Sequence, residues 1–140
     1  MDNMQKGELA QLKVQQRAAE KGHVVSRPTV QARYDLVIDF GKGDLKRVQI
    51  KYGGYVPEHR ASGAISVDFR RPRKRTSDEH TYVNYQSGEI DAILVYIPQV
   101  DSVVWLDAHL FHNKPSIVLR FSPPQNGQKK NINLVKDFIW

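Results

Sequence analysis

The sequence predicts an α+β fold, a single domain over residues 1–140 with one helix first and a β-sheet at its centre. Three observations carry this. A chain of 140 residues is one domain's worth and can bury a single sizeable core. Residues 4–21 show apolar positions at helical spacing, and short alternating apolar runs broken by Gly, Pro and Asp follow. Neither an internal repeat nor a linker divides the chain.

The elements follow in order. Over residues 4–21, Leu9, Leu12 and Ala19 recur at the helical period, Gln, Lys, Ala and Glu fill the rest, and Gly22 is placed to cap the end. Val24–Ser26 is a short strand stopped by Arg27-Pro28. Tyr34–Phe40 is a strand with Leu36, Ile38 and Phe40 on one face and Asp35, Val37 and Asp39 on the other. Gly41–Asp44 turns the chain, and Arg47–Tyr52 returns beside it. Gly53-Gly54 breaks that strand, and Ile65–Arg70 forms another. No apolar residue lies between Pro72 and His80, which reads as a mobile surface loop. Ile90–Ile97 and Val103–Leu106 pair across the turn Pro98–Asp101, and Ser116–Phe121 is a further strand. The tail after Pro123-Pro124 carries Ile132, Leu134 and Phe138-Ile139-Trp140, which must pack on something.

Composition excludes several classes. No run approaches the roughly 18 apolar residues of a membrane helix, and Met1–Lys6 lacks the apolar stretch of a secretory signal. Without cysteine there is no disulfide framework, thiolate nucleophile or zinc–thiolate cluster. An intracellular, cytoplasmic protein is expected.

Charge is concentrated. The chain carries 21 Lys+Arg against 15 Asp+Glu, a net +6. Residues 60–75 hold Arg60, Arg70, Arg71, Arg73, Lys74 and Arg75 against Asp68 alone, so nearly all the excess sits there. Localised positive charge is the footprint of a polyanion partner, here a nucleic acid. It is equally the mark of a solvated loop, and it says nothing about sequence preference.

Chemistry converges on Asp35, Gln49, Ile50 and Lys51. Alternation puts Gln49 and Lys51 on one face of their strand, and the hairpin sets that strand beside Asp35 and Asp39. Phosphodiester hydrolysis needs a hard divalent ion held by oxygen ligands, with a cation near the attacking water or the scissile phosphate. Asp35 supplies a carboxylate, Gln49 an amide oxygen, Ile50 a backbone carbonyl and Lys51 the positive charge. Glu8 lies at the edge of the helix's apolar stripe and completes the set if the helix packs across the sheet; its other reading is an exposed first-turn acid favoured by the helix dipole. On spacing alone, Asp35 and Lys51 also fit a structural ion pair at a sheet end.

Arg33–Phe40 (RYDLVIDF) followed by Arg47–Tyr52 (RVQIKY) resembles the core of the PD-(D/E)XK nuclease superfamily. Within it the chain is similar to the small branch of restriction-like homing endonucleases, including those encoded in group I introns of bacterial tRNA genes. Lys6-Gly7-Glu8, Lys21–Pro28, Glu89–Tyr96 and Leu119–Asn126 share the resemblance, in the right order, so most of the chain is covered. Tyr34 replaces the structural proline, and Gln49 replaces the acidic residue of the motif, which removes one carboxylate ligand; glutamine is usual there in the nearest branch. The resemblance implies a restriction-endonuclease-like fold, an N-terminal helix packed on a central mixed sheet. It implies a sequence-specific, divalent-metal-dependent endonuclease that hydrolyses both strands of duplex DNA, with Glu8, Asp35, Gln49 and Lys51 as active site and Mg²⁺ as cofactor, Mn²⁺ substituting. Asp35, Gln49, the Ile50 carbonyl and Glu8 are the metal ligands so implied. The 60–75 segment would dock on phosphates. One site per chain and two strands to cut call for a homo-oligomer, a dimer or tetramer. The alternatives are a Holliday-junction resolvase-like nuclease and a catalytically silent nucleic-acid-binding module.

Other conspicuous residues read as structural. Asp39 lies roughly 13 Å along the strand from Asp35, too far to share one ion. His109, Phe111 and His112-Asn113 lack the partners of an HNH motif and read as surface loop. Tyr82, Tyr85 and Tyr96 read as packing, Asp91 as the acceptor of a structural hydrogen bond, and Gly53-Gly54 as backbone geometry.

Overall fold

Helix α1 (Asn3–Glu20) begins at Asp2, whose carboxylate accepts the Gln5 N–H at 2.8 Å while the Gln5 side chain accepts the Asp2 N–H at 2.9 Å. That reciprocal pair is a capping box. The computed structural model describes residues 1–54, 63–74, 80–83, 85, 86 and 88–140; at 71–74 and 80–83 the description is of the backbone. Among the described residues nine strands follow the helix: β1 (Val24–Ser26), β2 (Leu36–Asp39), β3 (Leu45–Tyr52), β4 (Ala64–Asp68), β5 (Arg71–Lys74), β6 (His80–Val83), β7 (Ala92–Ile97), β8 (Ser102–Asp107) and β9 (Ser116–Arg120). A one-turn helix α2 (Ala108–Phe111) precedes β9.

The main sheet runs β1-β2-β3-β7-β8. Only β3 and β7 are parallel, so the sheet is mixed, as expected. All six residues of β7 are buried, because both faces of this central strand are covered. On one face α1 packs over Leu36, Ile38, Val48, Ile50, Leu94 and Val103. On the other, the two-stranded β4–β9 sheet, α2 and the tail cover Ile93, Val95, Ile97, Val104 and Leu106. Strands β7 and β8 therefore send alternate side chains into two different cores, while β2 and β3 bury one face under α1.

The tail packs as its apolar residues require. Val135 is buried, and Trp105 N–H donates to the Phe138 carbonyl at 2.8 Å while Trp140 N–H donates to Val103 at 2.9 Å. The tail thus covers the free edge of β8. His23, Phe40, Trp105 and Trp140 form an aromatic row on the α1 side, the two indoles 5.4 Å apart.

Three expectations are corrected. The buried stripe of α1 is Ala10, Val14 and Ala18, whereas Leu12 is 52% exposed and Ala19 is at the surface. Small side chains let the helix lie close on the sheet, a role that hydrophobicity ranking undervalues. The stretch Pro72–His80 is not simply a loop, since Arg71–Lys74 pairs antiparallel with His80–Val83; ladder hydrogen bonds come from the backbone and need no apolar side chain. Residues 75–79 of that stretch lie outside the described residues. The segment around His109 is a helical turn rather than a loop, anchored by buried Phe111 against Phe69 and Tyr85.

Candidate active site

Strand β3 outruns β2. The last paired residue of β2 is Leu36, opposite Val48, so the N–H of Ile50 projects past the end of its neighbour. Asp35 closes the gap. Its own N–H donates to the Val48 carbonyl at 2.9 Å, and its Oδ2 accepts the Ile50 N–H at 2.8 Å. A carboxylate has become the next rung of the ladder. The N–H and C=O of one strand residue point to the same side, so the Ile50 carbonyl faces the side on which Asp35 sits.

Val48 and Ile50 point into the core under α1. Gln49 and Lys51 consequently project from the opposite face, half-buried, on the side that also carries Asp35. Asp35 and Lys51 thus share one face of the sheet end, and each charge favours the ionised form of the other. Burial pushes the Asp35 carboxyl above its ordinary range, opposed by the Ile50 N–H and then by Lys51 and Arg27. Burial likewise pushes the Lys51 ammonium below its ordinary range, opposed first by Asp68 and then by Asp35. An acid raised and a lysine lowered in one partly desolvated place is the pattern that functional sites produce.

Lys51 opens on a cleft of about 530 Å³ between the start of α1 and β4, lined also by Lys6, Tyr52, Ser66 and Asp68. The Lys6 ammonium stands 5.8 Å from the Tyr52 ring centroid, within cation–π range. Glu8 is placed differently from the edge position its spacing suggested. It lies two residues from Ala10, about 200° around the helix, and its side chain is 58% exposed, with Arg27 Nη2 at 3.8 Å. Because Arg27 also acts on Asp35, this arginine links the two acids.

Arg70 forks onto Asp68, with Nε 3.1 Å from Oδ1 and Nη2 3.1 Å from Oδ2. Arg71, Arg73 and Lys74 lie along β5 of the two-stranded ribbon. Arg60 and Arg75 lie outside the described residues. Sequence reasoning missed Arg27, Asp68 and Lys6. Asp68 shares the exposed face of β4 with Ser66, a readable alternation, but nothing local says that this face meets Lys51.

The structural readings of other residues stand. Asp39 Oδ1 accepts the Gly41 N–H at 2.8 Å, which serves the turn. Asp91 exchanges backbone and side-chain hydrogen bonds with Arg47 at 2.9 and 2.8 Å. Tyr85 and Tyr96 are buried, and the Tyr96 hydroxyl donates to Asp101; Tyr82 is described at its backbone alone. At Gly53 a Cβ would sit 2.8 Å from Val95 Cγ1, so this glycine permits close packing of strands.

A sequence profile of the PD-(D/E)XK endonuclease family matches residues 1–140. The chain belongs to the PD-(D/E)XK endonuclease family. The structure of the bacterial homing endonuclease I-Ssp6803I is similar to it, with a TM-score of 0.78 at 23% identity, covering 99% of this chain and 89% of that one. No curated protein sequence matches. As a PD-(D/E)XK endonuclease the chain is a nuclease, and its α+β architecture is the restriction-endonuclease-like one.

PD-(D/E)XK nucleases use divalent metals. Among the described residues no three His, Cys, Asp or Glu side chains gather at one place. The donors present nevertheless fit a hard cation, which takes carboxylate, amide and backbone carbonyl oxygens alike. Asp35 Oδ1 accepts no hydrogen bond from the described residues, and the Ile50 carbonyl lies on the Asp35 side of its strand. Among the described residues no helix is long and apolar enough to cross a membrane.

Proposed function

We propose that this PD-(D/E)XK nuclease is a homing-type endonuclease: sequence-specific, Mg²⁺-dependent, hydrolysing phosphodiester bonds in both strands of duplex DNA. The observation that carries the reading is the Asp35–Ile50 rung, which fixes a carboxylate beside Lys51 on the face that bears Gln49.

Asp35, the Gln49 amide oxygen and the Ile50 carbonyl would hold the ion, with Glu8 joining them from α1. A bound divalent cation acidifies water and polarises a phosphoryl oxygen. The chain's own groups do the rest. The Ile50 N–H holds Asp35 in one orientation, so no reorganisation of that carboxylate is needed as charge develops. Lys51, partly desolvated, stabilises negative charge on the phosphate or orients the attacking water, and its field is stronger there than in bulk water. Among the described residues no set for a covalent nucleophile accompanies these groups, which favours direct attack by water.

The basic stretch Arg70–Arg75, with Arg60, would dock on backbone phosphates, and its first strand belongs to an antiparallel ribbon. A two-stranded ribbon has the width to enter a major groove. A chain with one site cuts two strands by assembling as a symmetric homo-oligomer, a dimer or tetramer.

The test is a cleavage assay on a pool of duplexes that includes intron-insertion-type tRNA gene sequences, and on a four-way junction. Discrete duplex fragments are expected with Mg²⁺ or Mn²⁺, lost with chelator and in Lys51→Ala. Cuts confined to the junction would make the protein a resolvase-like nuclease. A folded protein that binds duplex and cuts nothing with any metal would make it a silent binding module, the outcome to which Gln49 lends weight.

A further inference from the structure

Asp68 is the one acidic residue within the basic segment 60–75. A lone carboxylate there opposes DNA binding, so its position needs a reason. It ends β4, half-exposed, and lines the same cleft as Lys51 and Lys6. Arg70, at the root of the β5–β6 ribbon, forks onto both its oxygens at 3.1 Å, the geometry with which arginine also grips a phosphate. The Arg70 N–H donates to Oδ1 as well, at 2.8 Å. On the other side, Asp68 lines one cleft with Lys51, close enough for its charge to favour the ammonium form. Asp68 therefore joins the cleft of Lys51 to the arginine that begins the docking ribbon.

We propose that Asp68 is an internal stand-in for a DNA phosphate, holding Arg70 at the mouth of the cleft it shares with Lys51 in the DNA-free protein and yielding both cations to backbone phosphates when a duplex docks. The inference rests on the reading of Lys51 and the basic ribbon as DNA-facing. A phosphate entering the mouth of this cleft is repelled by the Asp68 charge, so docking is favoured once that carboxylate gives up Arg70. The device keeps Arg70 ordered before DNA arrives. It also lowers affinity for any duplex that offers nothing beyond phosphates.

The experiment measures binding of a labelled random-sequence duplex of about 30 base pairs, without divalent metal, from about 50 to about 200 mM salt. Wild type, Asp68→Asn, Arg70→Ala and the double variant are compared by fluorescence anisotropy. Asparagine keeps an acceptor for the Arg70 N–H and removes the charge; Asp68→Ser serves if the asparagine variant folds poorly. Asp68→Asn should bind at least about threefold tighter, with the log–log salt slope steeper by about one. The gain should shrink by at least about half when Arg70 is alanine, the coupling expected of residues in contact. A carboxylate that merely held the β4–β5 turn would leave the slope unchanged. Unchanged or weaker binding by folded Asp68→Asn, with the wild-type slope, overturns the proposal and leaves the nuclease reading intact. Failure of the wild type to bind duplex at all overturns both.

Discussion

Replacing Asp35 in two ways separates the two jobs of its carboxylate. One is to complete the ladder at Ile50; the other is to carry negative charge into a half-buried site. Asp35→Asn keeps an oxygen acceptor for the Ile50 N–H, whose bond is 2.8 Å long in the native protein, and deletes the charge. Asp35→Ala deletes both and orphans an N–H on a residue only 8% exposed. An unsatisfied buried donor costs about 1–3 kcal/mol. For a chain of 140 residues each kcal/mol moves the melting temperature by roughly 3–4 °C. The alanine variant should therefore melt roughly 3–12 °C below the asparagine variant, although both should be equally inactive in cleavage. The comparison with wild type has a sign set by burial, which raises the folded carboxyl above its ordinary 3.8. Between those two values the folded state holds more protons than the unfolded state, so wild-type stability falls as pH rises through the window and stays lower above it. Asparagine escapes that loss, so Asp35→Asn should gain on wild type as pH rises from the acid side and keep the gain at neutrality. Thermal melts by circular dichroism at pH 4 and pH 7 would read both effects. Equal melting of the alanine and asparagine variants would refute the rung. An asparagine variant that melts below wild type at neutral pH would refute the burial argument.

Gln49→Glu should retain metal-dependent cleavage, because it places a carboxylate oxygen where the amide oxygen stands; a well-folded but dead variant would remove Gln49 from the ligand set. Alanine at Arg71 and Arg73 together should weaken duplex binding and reduce the salt slope by about one for each phosphate that is no longer neutralised. An unchanged slope in a salt titration would move the docking surface elsewhere. Gly53→Ala drives a methyl group to 2.8 Å from Val95 Cγ1 and 3.1 Å from Ile65 Cδ1. Overpacking of that kind costs about 1–3 kcal/mol, and a urea midpoint equal to wild type would show that these side chains yield freely.

The legible parts of the fold are those written in local alternation. Val24–Ser26 forms as its pattern suggests, and the shared face of Asp35, Gln49 and Lys51 follows directly from period two. Helix α1 is legible as a helix but not in its orientation, because Ala10 and Ala18 carry little hydrophobic signal while the exposed Leu12 carries much. Glu8 inherits that error, since its distance from the stripe is measured from Leu9 and Leu12 rather than from Ala10 and Val14. The β5–β6 ribbon is hidden for a different reason: its pairing is backbone chemistry among charged and polar residues. Arg27, Lys6 and Asp68 join the site only through tertiary approach. Arg27 pairs with Glu8 and acts on Asp35 across a gap in sequence that no spacing rule spans, and Asp68 comes to the cleft of Lys51 from a different sheet.

The two tryptophans of the chain stand side by side at the β8 edge, Trp105 and Trp140 with ring centroids 5.4 Å apart, both packed on the α1 side of the sheet. The Gln49–Lys51 face lies on the other side. Intrinsic fluorescence is thereby a reporter placed behind the wall of the site. It reads whether the tail is seated against β8, and is blind to an occupant that merely enters the cleft. A change in tryptophan emission on adding DNA would signal that the sheet itself had shifted, and a silent titration with bound DNA would signal a rigid platform.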